Sequence, residues 1–315
     1  MGDAVDLFAL TSGQGLAAGR LAYLRPVGSD GWRAGAAVSR TQYALVGRLR
    51  PLDASGTADV LTLTATYPWL RTRTDNVGLL LSVEAKRLAD RAAGVLLSER
   101  SSQLASVGLS GDHLREAGAR SLTSWQASLT GGRLDFGNDT ARALDAAGAG
   151  IQGGFSRLNA ALVHEQQLPA LSAGTSLLAS LRAQWAPGNL DSSERLPLGG
   201  TTGVRGYPLG EAAGDRGWVL NVDARQDVGT LQTPWGAARV RASVFFDAGG
   251  VDTFAKPFDP ALRNRRTLRA AGAGLQAGVG RVFGQVLVAQ PLGGRSVDPS
   301  QTSRTIGWVQ AGVTF

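Results

Sequence analysis

The chain has 315 residues, 43 of them glycine, and its formal net charge of +7 comes almost entirely from arginine. It has no cysteine and only two histidines, His113 and His164, which excludes disulfides, thiolate metal sites and cysteine nucleophiles and leaves little material for imidazole chemistry. Because the arginines are dispersed rather than clustered with aromatic residues, the charge does not indicate a nucleic-acid partner.

The dominant pattern along the chain is a period of two. Apolar residues alternate with polar or small ones over residues 77–86, 176–185, 218–225 and 239–247. Such alternation indicates strands with one apolar and one polar face. An alanine-rich stretch at 139–149 predicts one or two helical turns within a loop. The predicted strands are 4–11, 16–27, 31–44, 57–70, 76–92, 99–114, 119–134, 153–168, 174–187, 217–229, 236–249, 267–279, 281–292 and 305–315.

Three features favour a membrane barrel over a soluble β-sandwich, whose strands would also alternate. The predicted strands are near the length that a tilted strand needs to cross a bilayer. Their polar faces carry charges of both signs, which a watery lumen tolerates and a dry core does not. Aromatic residues lie near the strand ends, as an interfacial girdle requires. These residues are Tyr23, Trp32, Tyr67, Trp69, Trp185, Trp218 and Trp235.

The connections also differ in length, with short ones from Gly13 to Gly15 and near Gly280 and longer polar ones at 188–216 and 250–266. This asymmetry is typical of outer-membrane barrels, which have short turns on one side and longer loops on the other. No run approaches the 18 consecutive apolar residues of a transmembrane helix. The sequence therefore predicts an all-β chain, a transmembrane antiparallel β-barrel in one domain over residues 1–315.

The loop at 188–216 is the longest segment without a strand pattern, and loops of that length in compact domains are often functional. Its glycines allow positive φ and a sharp hairpin tip that presents Arg205. Leucines and other apolar residues near the tip give the loop a surface that packs against something else. The glycines of the tip are Gly199, Gly200, Gly203 and Gly206.

Asp247 is the predicted partner of Arg205. It lies in register with Arg239, Arg241 and Ser243, so it is expected to face the lumen. A guanidinium–carboxylate pair in a partly screened lumen contributes on the order of 1–3 kcal/mol, enough to hold a loop and little enough to be released. The residues alone leave the alternative open, in which Arg205 is a solvated loop residue and Asp247 a residue of a turn.

Other chemistries find little support in the sequence. The glycines of the loop do not form G-x-G-x-x-G, and no Gly-Lys-Ser/Thr follows them, so a phosphate-binding loop is not indicated. Ser193, Glu194 and Ser243 have no histidine placed beside them by the sequence, so no catalytic triad or dyad can be named. We therefore expect no enzyme activity, no cofactor and no metal.

Two motifs carry a family resemblance. Val204-Arg205-Gly206-Tyr207 forms the loop tip, and Phe245-Phe246-Asp247-Ala248-Gly249 supplies Phe245, Asp247 and Gly249 of a Phe-x-Asp-x-Gly pattern. In both motifs the chain resembles the two-partner secretion transporters of the haemolysin secretion/activation family, within the superfamily of POTRA-bearing outer-membrane proteins. The resemblance spans essentially the whole chain.

The resemblance implies a 16-stranded barrel with a long loop folded into its lumen, preceded by a signal peptide, a plug helix and two POTRA domains. Because about 14 strands are counted here, the expectation is that the chain begins at the third strand of that barrel. The implied location is the outer membrane of a Gram-negative bacterium. The implied function is export of an unfolded exoprotein through the pore; the alternatives are an assembly insertase of the same superfamily, an outer-membrane enzyme or a diffusion porin.

The resemblance also implies roles for single residues. Arg205 and Asp247 would hold the loop, Gly203 and Gly206 would shape its tip, and Tyr207 with Phe245 would pack the loop against the wall. Apart from the resemblance, Phe315 at the end of the last predicted strand suits recognition by the barrel-assembly machinery, and the alternative is a protein that simply ends in a strand. The other expected partners are the exoprotein cargo and outer-membrane lipid, including lipopolysaccharide.

Overall fold

The computed structural model describes residues 2–11, 15–44, 53–293 and 305–313. In this part of the chain fourteen strands form one antiparallel sheet in chain order, and its outermost strands, β1 and β16, each have a single partner. The strands of this sheet are β1 (Ala4–Thr11), β2 (Leu16–Val27), β3 (Trp32–Ala44), β4 (Ala54–Arg71), β5 (Asp75–Ala92), β6 (Val95–Arg115), β7 (Ser121–Phe136), β8 (Gly153–Gln167), β9 (Thr175–Trp185), β12 (Arg216–Thr233), β13 (Gly236–Asp252), β14 (Arg265–Val279), β15 (Val282–Pro291) and β16 (Ile306–Val313). The other elements are helix α1 (Asp139–Ala146) and a ribbon of β10 (Leu196–Pro197) with β11 (Ala213–Gly214).

The predicted strands are confirmed, and the differences lie at their ends. Strand β12 continues to Thr233, whereas the period of two predicted an end at 229. Its pairing with β13 shifts register between Asp227 and Gly229. A bulge of this kind interrupts the alternation of faces, so periodicity alone ends the strand too early. Strands β10 and β11 were not predicted, because two residues are too few to show a period.

The sheet has an exposed apolar face. Val83, Val107, Val244 and Leu275, on four different strands, are 57%, 46%, 61% and 58% exposed. We call this the outer face. In a soluble sandwich such residues would be covered, whereas a barrel presents them to lipid. No helix in the described ranges has the length and apolar character needed to cross a membrane.

The connections at the two ends of the sheet differ in length. Strands alternate in direction, so the turns at 28–31, 72–74 and 234–235 lie at one end. The connections at 137–152 and 186–215 lie at the other end. The long connections therefore share one end, the loop end, and the opposite end is the turn end. The predicted asymmetry holds in part, because the two-residue turn between β5 and β6 also lies at the loop end, and the predicted short connection from Gly13 to Gly15 falls largely outside the described residues.

Exposed tryptophans lie near both ends of the sheet. Trp69 and Trp235, at the turn end, are 69% and 85% exposed, and Trp185 and Trp218 are partly exposed near the loop end. Trp32 stacks on Tyr67 with ring centroids 5.0 Å apart. The apolar outer face is thus bordered by aromatic residues at both ends, as an interfacial girdle requires.

Helix α1 lies in the loop between β7 and β8. Its N-cap, Asn138, accepts a hydrogen bond from the backbone N–H of Ala141 at 2.8 Å. Ala141 is buried against Leu134 and Phe136 of β7. The predicted helical turns are confirmed, and they end three residues before 149 because Ala147 caps the helix.

Candidate functional site: the loop between β9 and β12

The loop between β9 and β12 folds back onto the face of the sheet opposite the outer face. We call this the inner face. Leu198 and Val204 of the loop are fully buried. They belong to one apolar cluster with Val219 of β12 and Leu268 of β14. Because the loop contacts several strands of the sheet at once, it fills the space that the curved sheet encloses.

Backbone hydrogen bonds close the tip of the loop into a compact turn. The N–H of Gly200 donates to the carbonyl of Tyr207 at 2.9 Å, and the N–H of Val204 donates to the carbonyl of Leu198 at 2.8 Å. Gly203 donates to the carbonyl of Gly200 at 3.0 Å. The backbone at Arg205 is therefore held in place before its side chain makes any contact.

The glycines of the tip have two different reasons to be glycine. Gly200 has φ of +94°, a conformation that glycine allows. Gly199, Gly203 and Gly206 do not adopt a positive φ and are needed for close approach instead. A Cβ on Gly206 would lie 2.7 Å from the Cβ of Ala270 on the wall. On Gly199 or Gly203 it would lie 2.3 Å from a backbone carbonyl of the loop.

The structure brings Arg205 and Asp247 together. Nε of Arg205 donates to Oδ2 of Asp247 at 2.9 Å, and Nη2 donates to Oδ1 at 2.7 Å. The backbone N–H of Arg205 also donates to Oδ2, at 2.9 Å. Asp247 is fully buried and Arg205 is 7% exposed. The contact is bidentate, a geometry that lysine would not reproduce.

A second carboxylate, which the sequence analysis missed, completes the site. Asp223 of β12 accepts from Nη1 of Arg205 at 2.9 Å and from Nη2 at 3.1 Å. Asp223 lies opposite Phe245 in the pairing of β12 with β13. The signal was present in the sequence, because Asp223 alternates with apolar residues on β12 just as Asp247 does on β13.

The two carboxylates determine the electrostatics of Arg205. Burial by itself would lower the pKa of its guanidinium, but the hydrogen bonds and charges of Asp247 and Asp223 outweigh burial and raise it. Arg205 therefore carries its positive charge at neutral pH. With two acids and one base, the group carries a formal charge of −1.

Three further side chains surround Arg205. Its Cζ atom lies 3.6 Å from the ring centroid of Phe245, a cation–π contact. Nδ2 of Asn221 donates to Oδ1 of Asp247 and to the carbonyl of Gly203, both at 2.8 Å. The indole N–H of Trp308, on the last strand, donates to the carbonyl of Arg205 at 2.8 Å. We call Arg205, Asp247 and the residues that contact them the tip site.

Tyr207 and Phe245 hold the loop in different ways. Tyr207 is 1% exposed and lies in the cluster that contains Leu268 and Ala270. Its hydroxyl donates to the carbonyl of Gly293. Phe245 belongs to a separate cluster on the wall and touches the loop through Arg205. The two aromatic residues that the resemblance names together therefore act at different points.

The remaining motif residues serve packing. A Cβ on Gly249 would lie 2.5 Å from Cδ1 of Leu198, so glycine lets the loop approach β13. Phe315, the expected assembly signal, lies outside the described residues. In the ranges that the structure describes, no three or more His, Asp or Glu side chains are grouped to hold a metal ion. The arrangement can hold and release a loop, because its parts are hydrogen bonds, ion pairs and a stacked ring.

Comparison with known protein families gives one match over most of the chain. The family described as "Haemolysin secretion/activation protein ShlB/FhaC/HecB" matches residues 9–277. Among curated proteins, the heme/hemopexin transporter protein HuxB of Haemophilus influenzae is 25% identical over 297 residues, covering 92% of this chain and 51% of HuxB. HuxB of strain 86-028NP is 26% identical over the same length and coverage. The chain thus spans about half the length of the curated relatives it matches.

Solved structures share the fold. CdiB from Escherichia coli has a TM-score of 0.72 at 21% identity, covering 94% of this chain and 52% of CdiB. CdiB from Acinetobacter baumannii has a TM-score of 0.70 at 15% identity, covering 98% and 53%. BamA from Haemophilus ducreyi lacking POTRA domains 1-3 has a TM-score of 0.61 at 14% identity, covering 98% and 65%. These similarities show that the antiparallel sheet has the fold of a β-barrel.

Proposed function

Because the chain belongs to the haemolysin secretion/activation family, we propose that it exports an unfolded exoprotein across the membrane through the lumen of its barrel, in two-partner secretion. The protein is an outer-membrane β-barrel of a Gram-negative bacterium. The proposal concerns the cargo and the activity of the whole protein, of whose curated relatives the chain spans about half.

The observation that carries the proposal is the loop in the lumen. A diffusion porin needs no long segment held by buried ion pairs at the inner wall, whereas an exporter of unfolded chains needs a passage that is occupied at rest. Arg205, Asp223 and Asp247 provide such an attachment. Ion pairs are suited to this task, because water that enters the opened lumen solvates the separated charges.

The roles of the site residues follow from their contacts. Arg205 and the two aspartates would hold the tip, while Gly203 and Gly206 would allow it to approach the wall. Tyr207 would keep the loop packed against the wall when the ion pairs of Arg205 break. The apolar outer face would contact lipid and lipopolysaccharide, and the last strand with Phe315 would be read by the barrel-assembly machinery. No step of this function needs catalysis.

The test is cargo release. The full-length protein is produced together with a candidate exoprotein, and exoprotein is measured in the medium and in the periplasm. Export predicts cargo in the medium only when the protein is present. If cargo reaches the medium equally well without it, the proposal is wrong.

The second candidate is a barrel-assembly insertase, which the similarity to BamA favours. Val204, before the arginine, and the Gly199-Gly200 pair favour the transporter. Depletion of the protein distinguishes the two candidates. An insertase predicts a fall in the levels of other outer-membrane barrels, whereas an exporter predicts that those levels are unchanged and that cargo release alone is lost.

A further inference from the structure

The base of the loop carries a second set of buried charges, far from the tip in the order of the sheet. Residues Ser192–Glu194 form a 3₁₀ turn whose N-cap is Asp191. The side chains of Asp191 and Glu194 are each 1% exposed, although both are acids. Acids are rarely buried so completely unless they are paired.

Glu194 is shared between two cations of the wall. Nζ of Lys86, on β5, donates to Oε1 at 2.6 Å. Arg157, on β8, reaches Oε2 with Nε at 3.2 Å and with Nη2 at 3.1 Å. The turn therefore connects two strands that do not pair with each other in the sheet.

Asp191 binds a third cation of the wall. One of its carboxylate oxygens pairs with Nη1 of Arg100 on β6. The other accepts from the backbone N–H of Ser193 at 3.0 Å, which caps the turn. Arg100 also pairs with Asp90 on β5. Its Nε is buried and has no hydrogen-bond partner among the described residues, so this contact is less than fully satisfied.

The base and the tip attach to different parts of the wall. In the order of the sheet, β5 is the fifth strand and β13 the eleventh. Between the two attachments along the loop lie Leu196 and Leu198, which pack into the apolar cluster on β12 and β14. This cluster can remain in place while either set of charges separates.

We propose that Lys86, Arg100, Arg157, Asp191 and Glu194 form a second attachment of the loop, which we call the base clamp. The base clamp closes the lumen beside β5–β8 and opens independently of the tip site. Its residues are positioning residues for the loop. The inference rests on the proposed function only in that the opened space would be part of the route of the exported chain.

The test uses thiol labelling in the full-length protein, since the chain has no cysteine of its own. A Ser102→Cys reporter examines the base, because Ser102 is 1% exposed on the inner face and lies opposite Lys86 in the pairing of β5 with β6. An Ala289→Cys reporter examines the tip, because Ala289 is fully buried in the cluster of Phe245. A water-soluble maleimide measures the labelling rate of each.

The base clamp is opened with the nearly isosteric pair Asp191→Asn and Glu194→Gln. The expected result is a rise of at least about tenfold in the labelling rate of the Ser102→Cys reporter, because the loop loses both carboxylates that bind Lys86, Arg100 and Arg157, while Lys86 and Arg100 keep their wall partners Glu84 and Asp90. The Ala289→Cys reporter should stay within about twofold of its original rate. The proposal is overturned if neither rate changes or if both rise together.

Exchanging the charges of Arg100 and Asp191 distinguishes two explanations, a specific ion pair in the base clamp and a general loss of stability. In the double variant Arg100→Asp with Asp191→Arg, the new loop cation can still meet Asp90 and the new wall acid. We expect it to restore the protection of the Ser102→Cys reporter that Arg100→Asp alone removes. Failure to restore protection, with the barrel still heat-modifiable in gel electrophoresis, would overturn the assignment.

The matched control is Arg133→Asp. Arg133 pairs with Asp135, and their side chains are 71% and 46% exposed. The substitution makes the same change of charge on the same sheet without touching the loop, and it should leave both reporters protected. Because labelling does not depend on cargo, a failed export assay and a failed base clamp give different results.

Discussion

The tip site and the base clamp hold the same loop with opposite polarity. At the tip the loop supplies the cation, Arg205, and the wall supplies the acids, Asp223 and Asp247. At the base the loop supplies the acids, Asp191 and Glu194, and the wall supplies the cations. A loop that slid along the wall would therefore bring like charges together. The charges therefore specify where the loop lies along the wall. Buried ion pairs are better suited to such specificity than to increasing the free energy of unfolding.

The two regions also differ in how fully their charges are enclosed. Asp247 is fully buried and Arg205 is stacked on Phe245, whereas Arg157 of the base clamp has a side chain that is 22% exposed. Water screens the ion pairs of the base more than those of the tip. Loss of one charge at the base should therefore destabilise the docked loop less than loss of one charge at the tip. We therefore expect substitutions of Arg205 or Asp247 to cost more than substitutions at the base.

Arg205→Ala should have the largest effect. It leaves two buried carboxylates without their cation, which costs about 3–5 kcal/mol. We expect cargo release to be abolished or sharply reduced while the barrel still inserts. Cargo in the medium is the measurement, and Arg73→Ala, at a side chain that is 83% exposed, is the control. Wild-type secretion by the Arg205→Ala variant would remove the tip site from the mechanism.

Neutralising the two acids of the tip site one at a time should show which of them contributes more to holding the loop. Asp247 accepts three hydrogen bonds from Arg205 and one from Asn221, whereas Asp223 accepts two from Arg205. We expect Asp247→Asn to destabilise the docked loop by about 2–3 kcal/mol and Asp223→Asn by about half as much. Labelling of the Ala289→Cys reporter measures both. Equal rates would show that the two carboxylates are interchangeable.

Charge reversal at Asp247 tests the same pair by function. It should give a secretion defect similar to that of Arg205→Ala, because the guanidinium would then face a cation at the inner wall. The measurement is again cargo in the medium. Normal export would contradict the proposed role of this ion pair.

Glu194→Gln should have a smaller effect than Arg205→Ala or Asp247→Asn. It removes one charge between Lys86 and Arg157 but keeps a hydrogen-bonding group in the same place, and we expect a cost of about 1–2 kcal/mol. The rate at which an added protease cleaves the loop measures it. If this variant loses protection faster than Arg205→Ala, the order of the two regions is reversed.

Trp308→Phe should have the smallest effect. It removes the hydrogen bond to the carbonyl of Arg205 and keeps an aromatic ring, at a cost of about 1 kcal/mol. We expect a modest rise in labelling of the Ala289→Cys reporter and near-normal secretion. No change would show that the last strand does not help to position the tip.

Much of the fold could be predicted from the sequence, because strand residues alternate with a period that local composition reveals. Strands β1 and β2 have the predicted ends. The end of β12 was missed, since a bulge is a property of the pairing with β13 and not of β12 alone. The short ribbon β10–β11 was missed for a similar reason, as it exists only because the loop folds back on itself.

The site could be predicted in part. Arg205 and Asp247 were paired from the motif and from the face on which Asp247 lies. Asp223 was on a recognised polar face but was not selected, because several charges share that pattern. Glu194 showed no catalytic partner in the sequence, and nothing local indicated that Lys86 and Arg157 would bind it.

By itself, the sequence determined that the chain forms long amphipathic strands, a glycine-rich loop tip and a cation that can meet an acid on β13. Which charges form pairs depends on how the strands and the loop are arranged in space. Trp308 lies 103 residues from Arg205, and Lys86 lies 108 residues from Glu194. The physical reason is that the period of a strand is a local property of its residues, whereas contacts across a lumen depend on the stagger and curvature of the whole sheet.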